Sequence, residues 1–209
     1  MGAVDNGAAT RIAPVGIFFA DAPDLYEQAA LSALVTHAHP VAIDGAAVLA
    51  KAIALGLQQT QATVFQWQPW LQELIAFART EALREQLQIA AALFARYVTP
   101  KVAFAYLGRG NAVQTSFPFA LYAFLCHPTS FQRCLLCAVT HGGERDALGA
   151  MAGAISGAYA GVEGIPGAWR AKLENGCYLE RLACTLAETA SLPYGAASDC
   201  STHWLGHWN

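Results

Sequence analysis

The chain has 209 residues, of which 55% are hydrophobic and only 13% are charged. An average soluble domain has about 25% charged residues, so we expect either extensive burial of apolar side chains or a partner that covers them. The formal net charge of −3 argues against nucleic acid as a partner, because there is no basic surface to neutralise phosphates.

Neither a membrane nor an export pathway is expected. The longest nearly apolar stretch identified in the sequence, Ala147–Val162, is shorter than the ~18–20 residues that cross a bilayer as a helix. The segment Met1 to Asn6 carries neither the basic nor the apolar part of a signal peptide. We therefore expect a cytoplasmic protein whose cysteines are reduced thiols.

Helical patterns separated by short Gly and Pro breaks follow one another along most of the chain. Asp21 is expected to cap the first long helix, and Pro40 to begin a helix that stops at Gly56. The pattern predicts one compact all-α, bundle-like domain over residues 1–190 and an irregular tail over residues 191–209. The further predicted helices are 67–97 (one broken or two consecutive helices), 117–124, 130–139, 144–159, 166–173 and 178–189.

Glycine recurs at every fourth position in the 144–159 segment and just beyond it, at Gly149, Gly153, Gly157 and Gly161. Residues four apart share one face of a helix, so these glycines form a smooth stripe that another helix can approach closely. In a membrane such a stripe is an association face, but the segment is too short to span one. We therefore predict that 144–159 is a central, buried helix.

Two glycines precede two carboxylates at the start of this helix, in the sequence Gly142-Gly143-Glu144-Arg145-Asp146. Negative charge is favourable in a first helical turn, so a solvated, acidic helix start is one interpretation. The other is a site for a hard cation, because Mg²⁺ prefers oxygen ligands and takes one or two carboxylates from a protein. Composition alone leaves both interpretations open.

Three further segments are candidates for ligand contact: Asn6-Gly7, Thr36-His37 and the loop Gly108-Arg109-Gly110-Asn111. A histidine after a helix either caps the helix end or contacts a ligand. Glycine loops either form ordinary turns or hold phosphates with their backbone N–H groups. Each segment taken alone permits both interpretations.

Cys134 and Cys137 have the spacing of a zinc site, and Cys126, His127 and His141 lie nearby in the sequence. Two leucines of an apolar helix separate the first pair, and no second Cys-x-x-Cys follows. Buried, inert thiols are therefore expected here rather than zinc.

Four segments of the chain are together similar to motifs of the ADP-ribosylglycohydrolase family. Each motif is short, but their order and spacing over about residues 1–189 make the resemblance specific. The matching segments are Asn6 to Pro14 (the family's Gly-Asn-Gly-x-x-Met-Arg motif), Thr36-His37 (its Thr-His pair), Gly108 to Asn111 with 117–122 (its Gly-x-Gly loop and following helix), and Gly142 to Asp146 with 153–159 (its Gly-Gly-Asp-x-Asp-Thr signature and Gly-Ala helix).

The resemblance implies an all-α domain with a cleft for ADP-ribose, in which two magnesium ions position ribose hydroxyls and a water for glycosidic cleavage. It implies that Glu144 and Asp146 are catalytic residues and magnesium ligands. It also implies a second group of residues that hold phosphates, ribose and adenosine: Asn6, Gly7, His37, Gly108, Gly110 and Asn111.

The segment that would bind magnesium departs from the family pattern. Glu144 stands where the family has Asp, Ala147 replaces Thr, and Arg145 adds a cation that can pair with either carboxylate. Nothing matches the family's N-terminal Thr-Asp-Asp ligands, so an N-terminally truncated domain is expected.

These departures leave two hypotheses for the function. The chain is an ADP-ribosylglycohydrolase-like hydrolase with an incomplete metal site, acting on ADP-ribosyl groups of a modified protein or small molecule. The alternative is an inactive remnant that binds ADP-ribose, serves a structural role, or pairs with a separate chain carrying the missing half.

Overall fold

The computed structural model describes residues 2–59, 64–108 and 110–190. In these ranges the regular structure is helical, with no β-strand and one isolated antiparallel bridge between Asp5 and Ala112. The all-α fold that the sequence predicts is therefore confirmed. The predicted C-terminal tail lies outside the described residues.

The described part of the chain forms α-helices of very different length and one 3₁₀ turn, Val162–Gly164. The predicted segment 67–97 is two consecutive helices, α5 and α6. The helices are α1 (Gly7–Thr10), α2 (Ala13–Phe18), α3 (Leu25–Leu34), α4 (Pro40–Gln58), α5 (Trp67–Phe77), α6 (Glu81–Ala95), α7 (Pro100–Leu107), α8 (Val113–Cys126), α9 (Phe131–Val139), α10 (Arg145–Ala160), α11 (Gly167–Arg170) and α12 (Gly176–Ala190).

The core is organised around α4, which packs against α1, α2, α3, α5, α6, α8 and α10. Small residues on α4 and its neighbours allow this close packing. A Cβ added to Gly45 would lie 2.3 Å from Cγ2 of Val113 on α8, and one added to Gly16 of α2 would lie 2.8 Å from the carbonyl oxygen of Ala50. No side chain fits at either position, so these glycines set the distances of α8 and α2 from α4.

The strongly apolar character of α4 was not predicted. Among the described residues, α4 is the one helix whose length and hydropathy would suffice to cross a membrane. Most of it is buried inside this fold, as expected for the core helix of a compact domain.

Helix α10 is buried as predicted, against α4, α8 and α9. Gly149, Gly153 and Gly157 of the stripe are half-buried and face α9, where a Cβ on Gly149 would lie 3.1 Å from Cγ1 of Val139 and one on Gly153 would lie 3.5 Å from Cδ1 of Leu135. Gly161 lies just beyond α10 and is exposed. Side chains of α9 therefore fill the space that the stripe leaves. The prediction of a central, buried helix is therefore confirmed for α10, which shares the centre of the fold with α4.

Two predicted helix ends were wrong. Asp21 does not cap α3, because its Oδ1 accepts a hydrogen bond from Nε2 of Gln58 at 2.8 Å, and the N-cap position is Asp24. Gly56 does not end α4, which continues to Gln58. Gly56 instead faces α10, where its Cβ would lie 3.4 Å from Cβ of Ala158. The glycine permits a helix contact and does not terminate the helix.

Helix α7 was not predicted. Pro100 is its first residue, a position that proline favours because the missing N–H has no helical acceptor there. The predicted helix 166–173 is much shorter in the structure, Gly167–Arg170. The other predicted helices are present with ends that differ by a few residues.

A buried carboxylate ties three helices together. Asp44, fully buried on α4, accepts hydrogen bonds from the hydroxyl of Tyr26 (3.0 Å) and the N–H of Arg79 (3.0 Å), and from both the N–H and the hydroxyl of Thr80 (2.7 and 2.5 Å). Burial, followed by the charge of Asp44, raises the pKa of Tyr26. Since a buried charge is tolerated only when it is hydrogen-bonded, Asp44 fixes α3 and the start of α6 on α4.

Candidate functional site

The loop before α1 and the loop between α7 and α8 run side by side. The N–H of Asn6 donates to the carbonyl oxygen of Asn111 at 2.8 Å, and the N–H of Val113 donates to the carbonyl oxygen of Val4 at 3.0 Å. Two of the loops that the sequence analysis singled out therefore meet, although about half of the chain separates them.

Asn6 fastens this loop pair to α8. Its Nδ2 donates to Oγ of Ser116 at 3.1 Å, and the Ser116 hydroxyl donates to the carbonyl oxygen of Ala112 at 3.0 Å. The backbone carbonyl of Asn6 accepts from the N–H of Thr10 and so begins α1. Asn6 is only 5% exposed, so its side chain faces the protein and positions the neighbouring Gly7.

Asp5 joins Gly7 to His37. Its Oδ1 accepts the N–H of Gly7 at 2.9 Å and lies 2.6 Å from Nε2 of His37. The hydrogen bond with His37, and after it the one from Gly7, lowers the pKa of Asp5. A Cβ on Gly7 would lie 3.0 Å from Asp5 Oδ1 and 3.2 Å from Cε1 of His37, so a larger residue here would push one of these two side chains aside by a few tenths of an ångström.

The other ring nitrogen of His37 continues the chain of hydrogen bonds. Nδ1 lies 2.6 Å from Oγ1 of Thr36, which accepts from Nη2 of Arg11 at 2.7 Å. Because an ionised Asp5 can only accept, Nε2 of His37 carries a proton. In the neutral imidazole Nδ1 then accepts the Thr36 hydroxyl proton. Arg11 is held in place by the carbonyl oxygens of Gly7 and Ser32.

The interpretation of His37 as a helix cap was wrong. Its ring contacts Asp5 and Thr36, while its backbone N–H donates to the carbonyl oxygen of Ala33 at the end of α3. His37 is also nearly buried. We call the connected set the loop cluster, and its members are Asp5, Asn6, Gly7, Arg11, Thr36, His37 and Asn111.

Gly108 and Gly110 border the loop cluster without joining its hydrogen bonds. Gly108 ends α7 with φ of 122°, and a Cβ there would lie 2.6 Å from Cβ of Thr115. Any other residue at this position would have both a strained backbone and a steric clash. Gly110 and Asn111 are exposed beside the cluster, although the carbonyl oxygen of Asn111 accepts the N–H of Asn6. Arg109, between the two glycines, lies outside the described residues.

Gly142 to Asp146, here called the acidic turn, is built differently. Gly142 and Gly143 have φ of 97° and 69°, a left-handed backbone that glycine adopts without strain, and they turn the chain into α10. Glu144 is the N-cap residue but makes no side-chain cap bond. Within the described ranges the exposed side chains of Glu144 and Asp146 have no hydrogen-bond or ion-pair partner, so the suggested pairing with Arg145 is not formed.

A groove of about 670 Å³ opens beside the acidic turn. Its walls are Gly142, Gly143 and His141 on one side and Lys101 and Phe104 of α7 on the other. The volume lies within the range of small-molecule pockets, roughly 300–1,000 Å³. The acidic turn therefore borders space in which a ligand of moderate size fits.

Of the three thiols on α8 and α9, Cys134 and Cys137 are buried and Cys126 is partly buried. Burial raises the pKa of Cys126 and Cys134 to about 12 and that of Cys137 to about 11, so they are protonated and unreactive at neutral pH. His141 Nδ1 lies 2.8 Å from the carbonyl oxygen of Cys137. In the part of the chain that the structure describes, no three His, Cys, Asp or Glu side chains form a group that could hold a metal ion.

Asp5 and Ser116 were not predicted as site residues, and Arg11, although part of a matched motif, was given no role. Asp5 was detectable in principle, because an Asp two residues before a Gly forms the common turn in which the carboxylate accepts the i+2 N–H. The contacts of Arg11 with Thr36 and of Asn6 with Ser116 bridge distant segments. A local pattern carries no information about such contacts.

The whole chain was compared with known proteins. A family model described as ADP-ribosylglycohydrolase matches residues 1–195. The protein named ADP-ribosylhydrolase ARH3 of Mus musculus is 31% identical over 198 residues, which cover 83% of this chain and 54% of that protein. An uncharacterised protein of Archaeoglobus fulgidus is 34% identical over 187 residues, which cover 87% of this chain and 57% of that protein.

A solved structure has a similar fold. A chain of an ADP-ribosylglycohydrolase-related protein complex matches with a TM-score of 0.70 and 26% identity, covering 90% of this chain and 61% of that chain. This chain spans a little over half the length of the curated relatives it matches. The matches therefore concern the segment that carries the loop cluster and the acidic turn.

Proposed function

The chain belongs to the ADP-ribosylglycohydrolase family, and from that premise we propose that it holds ADP-ribosyl groups and takes part in their hydrolytic removal from a modified protein or small molecule. The observation that carries the proposal is the loop cluster, in which three separate family-like segments meet: Asp5 joins Gly7 to His37, and Asn111 accepts the N–H of Asn6. An ADP-ribosylated protein or ADP-ribose itself is the proposed partner, and the cytoplasm the proposed location.

In this proposal the loop cluster and the adjacent glycine loop hold the phosphates, ribose and adenosine. Gly7 has a backbone N–H directed at an anionic oxygen, that of Asp5, and His37 directs Nε2 at the same atom. Gly108, Gly110 and Asn111 lie beside them, and the last two are exposed to an arriving ligand. Asn6 contributes by fixing the loop, since its own amide is used by Ser116.

The magnesium pair that the family implies does not fit the described residues. Glu144 and Asp146 are the acidic groups that would act on the glycosidic bond, but Arg145 lies between them in sequence and a hydroxyl is missing at Ala147. Two adjacent Mg²⁺ ions need several oxygen ligands and compensating negative charge. We therefore propose that this chain alone binds Mg²⁺ weakly and hydrolyses ADP-ribosyl substrates poorly or not at all.

The second candidate function is that of a remnant that binds ADP-ribose without turnover, or that pairs with a chain supplying the missing ligands. The observation that favours it is the contrast between a loop cluster connected by hydrogen bonds and an acidic turn whose carboxylates have no partner in the described ranges. The hydrolase retains slow, Mg²⁺-dependent turnover on its own, whereas the remnant binds ADP-ribose with no turnover, so a turnover assay of the purified chain separates these two.

The experiment measures release of ADP-ribose from arginine- and serine-modified peptides by the purified chain with added Mg²⁺, together with calorimetry using free ADP-ribose. Asp146→Ala tests the acidic turn, and Glu85→Gln, an exposed carboxylate on α6, is the matched control. Binding without turnover supports the remnant. Magnesium-dependent turnover that Asp146→Ala abolishes and Glu85→Gln preserves would show that the metal site is not crippled. Absence of any ADP-ribose binding would refute the proposed function.

A further inference from the structure

The carboxylate of Asp5 accepts hydrogen bonds from two donors at once. A single oxygen, Oδ1, lies 2.9 Å from the backbone nitrogen of Gly7 and 2.6 Å from Nε2 of His37. The contacts are short, in the range of charge-assisted hydrogen bonds. In this structure the loop cluster therefore already contains an anion, and the chain itself supplies it.

A backbone N–H and an imidazole N–H pointing at one position are donors suited to a phosphate oxygen. Each N–H directs its proton at Asp5 Oδ1 and is unavailable to a second acceptor in good geometry. A phosphate placed beside an ionised Asp5 would also meet a like charge at short range. Arg11, the nearest cation of the cluster, is already engaged by Gly7, Ser32 and Thr36.

The Asp5 side chain is able to turn away from Gly7 and His37 towards solvent without disturbing the fold. It is 36% exposed, whereas the side chain of His37 is 8% exposed. The backbone on either side of Asp5 is held independently, by the hydrogen bonds Asn6 to Asn111 and Val113 to Val4. Rotation of the Asp5 side chain towards solvent therefore breaks its two hydrogen bonds and leaves the loop pair intact.

We propose that Asp5 is a specificity-determining residue whose carboxylate competes with the phosphate groups of the ligand for Gly7 and His37. The proposal rests on the proposed function, which assigns those two residues to phosphate. Phosphate-bearing ligands bind after Asp5 has turned away, and the affinity is lower by the cost of that displacement. Ligands without phosphate do not encounter this competition.

The test is calorimetry of the full chain and of Asp5→Ala and Asp5→Asn with ADP-ribose, inorganic pyrophosphate and adenosine. Asp5→Ala frees both donors and Asp5→Asn removes the charge while keeping the shape. We expect affinity for pyrophosphate and ADP-ribose to rise about tenfold or more in Asp5→Ala and less in Asp5→Asn, with adenosine unchanged. Glu85→Gln removes one charge outside the loop cluster and leaves all three affinities unchanged.

Each other outcome is decisive. Equal or weaker pyrophosphate binding in Asp5→Ala that is folded at the temperature of the calorimetry overturns the proposal and makes Asp5 a residue that merely positions His37. If Asp5→Ala does not fold, Asp5→Asn carries the same comparison. Tighter pyrophosphate binding in the variants, without ADP-ribose binding by any of them, supports competition by Asp5 and refutes the proposed function. Tight ADP-ribose binding that is equal in all variants refutes only the role of Asp5.

Discussion

The loop cluster and the acidic turn are the two parts of the candidate site, and their polar groups are satisfied in different ways. In the loop cluster, Asp5 and Thr36 hydrogen-bond to the two ring nitrogens of His37, and Asn6 is buried against α8. In the acidic turn, Glu144 and Asp146 face solvent without a partner in the described ranges. The first region is organised by this chain itself, while the second needs ligands that these residues do not supply.

The largest expected effect on stability comes from the packing of α4 against α8, the helix to which Asn6 of the loop cluster is fastened. Gly45→Ala places a methyl group 2.3 Å from Cγ2 of Val113, and a buried β-branched side chain cannot rotate away. We expect the free energy of unfolding to fall by roughly 3 kcal/mol, the upper end of the usual cost of overpacking. The melting temperature would fall by about 6–12 °C. A stable Gly45→Ala would mean that α4 and α8 are not held at this distance.

A smaller effect is expected where the acidic turn's helix meets α9. Gly153→Leu forces Leu135 aside, at a cost of roughly 1–3 kcal/mol in unfolding free energy. Gly153→Ala is the matched control, because its Cβ would make only an ordinary contact, 3.5 Å from Cδ1 of Leu135. Thermal unfolding of both variants checks the packing, and a fully stable Gly153→Leu would show that the glycine stripe is not closely covered.

The contributions of the loop cluster and the acidic turn to stability are compared directly by truncating one side chain in each region. His37→Ala removes the hydrogen bonds to Asp5 and Thr36, and we expect a loss of about 1–2 kcal/mol in stability. Asp146→Ala removes an exposed side chain without a partner in the described ranges, and we expect a change within about 0.5 kcal/mol. Denaturant titration of both variants measures the difference, and equal losses would contradict the contrast between the two regions.

The smallest expected effect is on the acid stability of the loop cluster. Hydrogen bonds from His37 and Gly7 lower the pKa of Asp5 in the folded chain. The associated stability is therefore present above the unfolded pKa of about 3.9 and is lost as the pH falls through the lower folded pKa. Melting temperatures measured from about pH 6 down to about pH 3 should converge between the wild type and Asp5→Asn. A constant difference would mean that Asp5 does not titrate with folding.

Much of the fold follows from local sequence patterns. Helical periodicity and proline positions predict α4, α8, α9 and α10, and the glycine stripe predicts that α10 meets another helix. Features set by tertiary packing were not predictable in this way. Gly56 resembles a helix end but serves a contact with α10, and Asp44 is buried because donors from α3 and α6 reach it.

The site, too, was predictable only in part. Gly7, His37 and Asn111 were predicted from sequence because each lies in a recognisable motif, and the structure brings them together. It was not predictable that Asp5 would take both donors, since that depends on a contact between residues 32 positions apart. Glu144 and Asp146 were found from sequence alone, yet without partners their role stays a prediction.

The central claim is that the loop cluster works without the acidic turn, and the magnesium dependence of ADP-ribose binding tests it most directly. Calorimetry of the purified chain would be run with Mg²⁺ and with a chelator, for the wild type, His37→Ala and Asp146→Ala. We predict equal affinity with and without Mg²⁺, unchanged in Asp146→Ala and strongly reduced in His37→Ala. An affinity that Mg²⁺ raises tenfold or more, and that Asp146→Ala returns to the chelator value, would contradict the account.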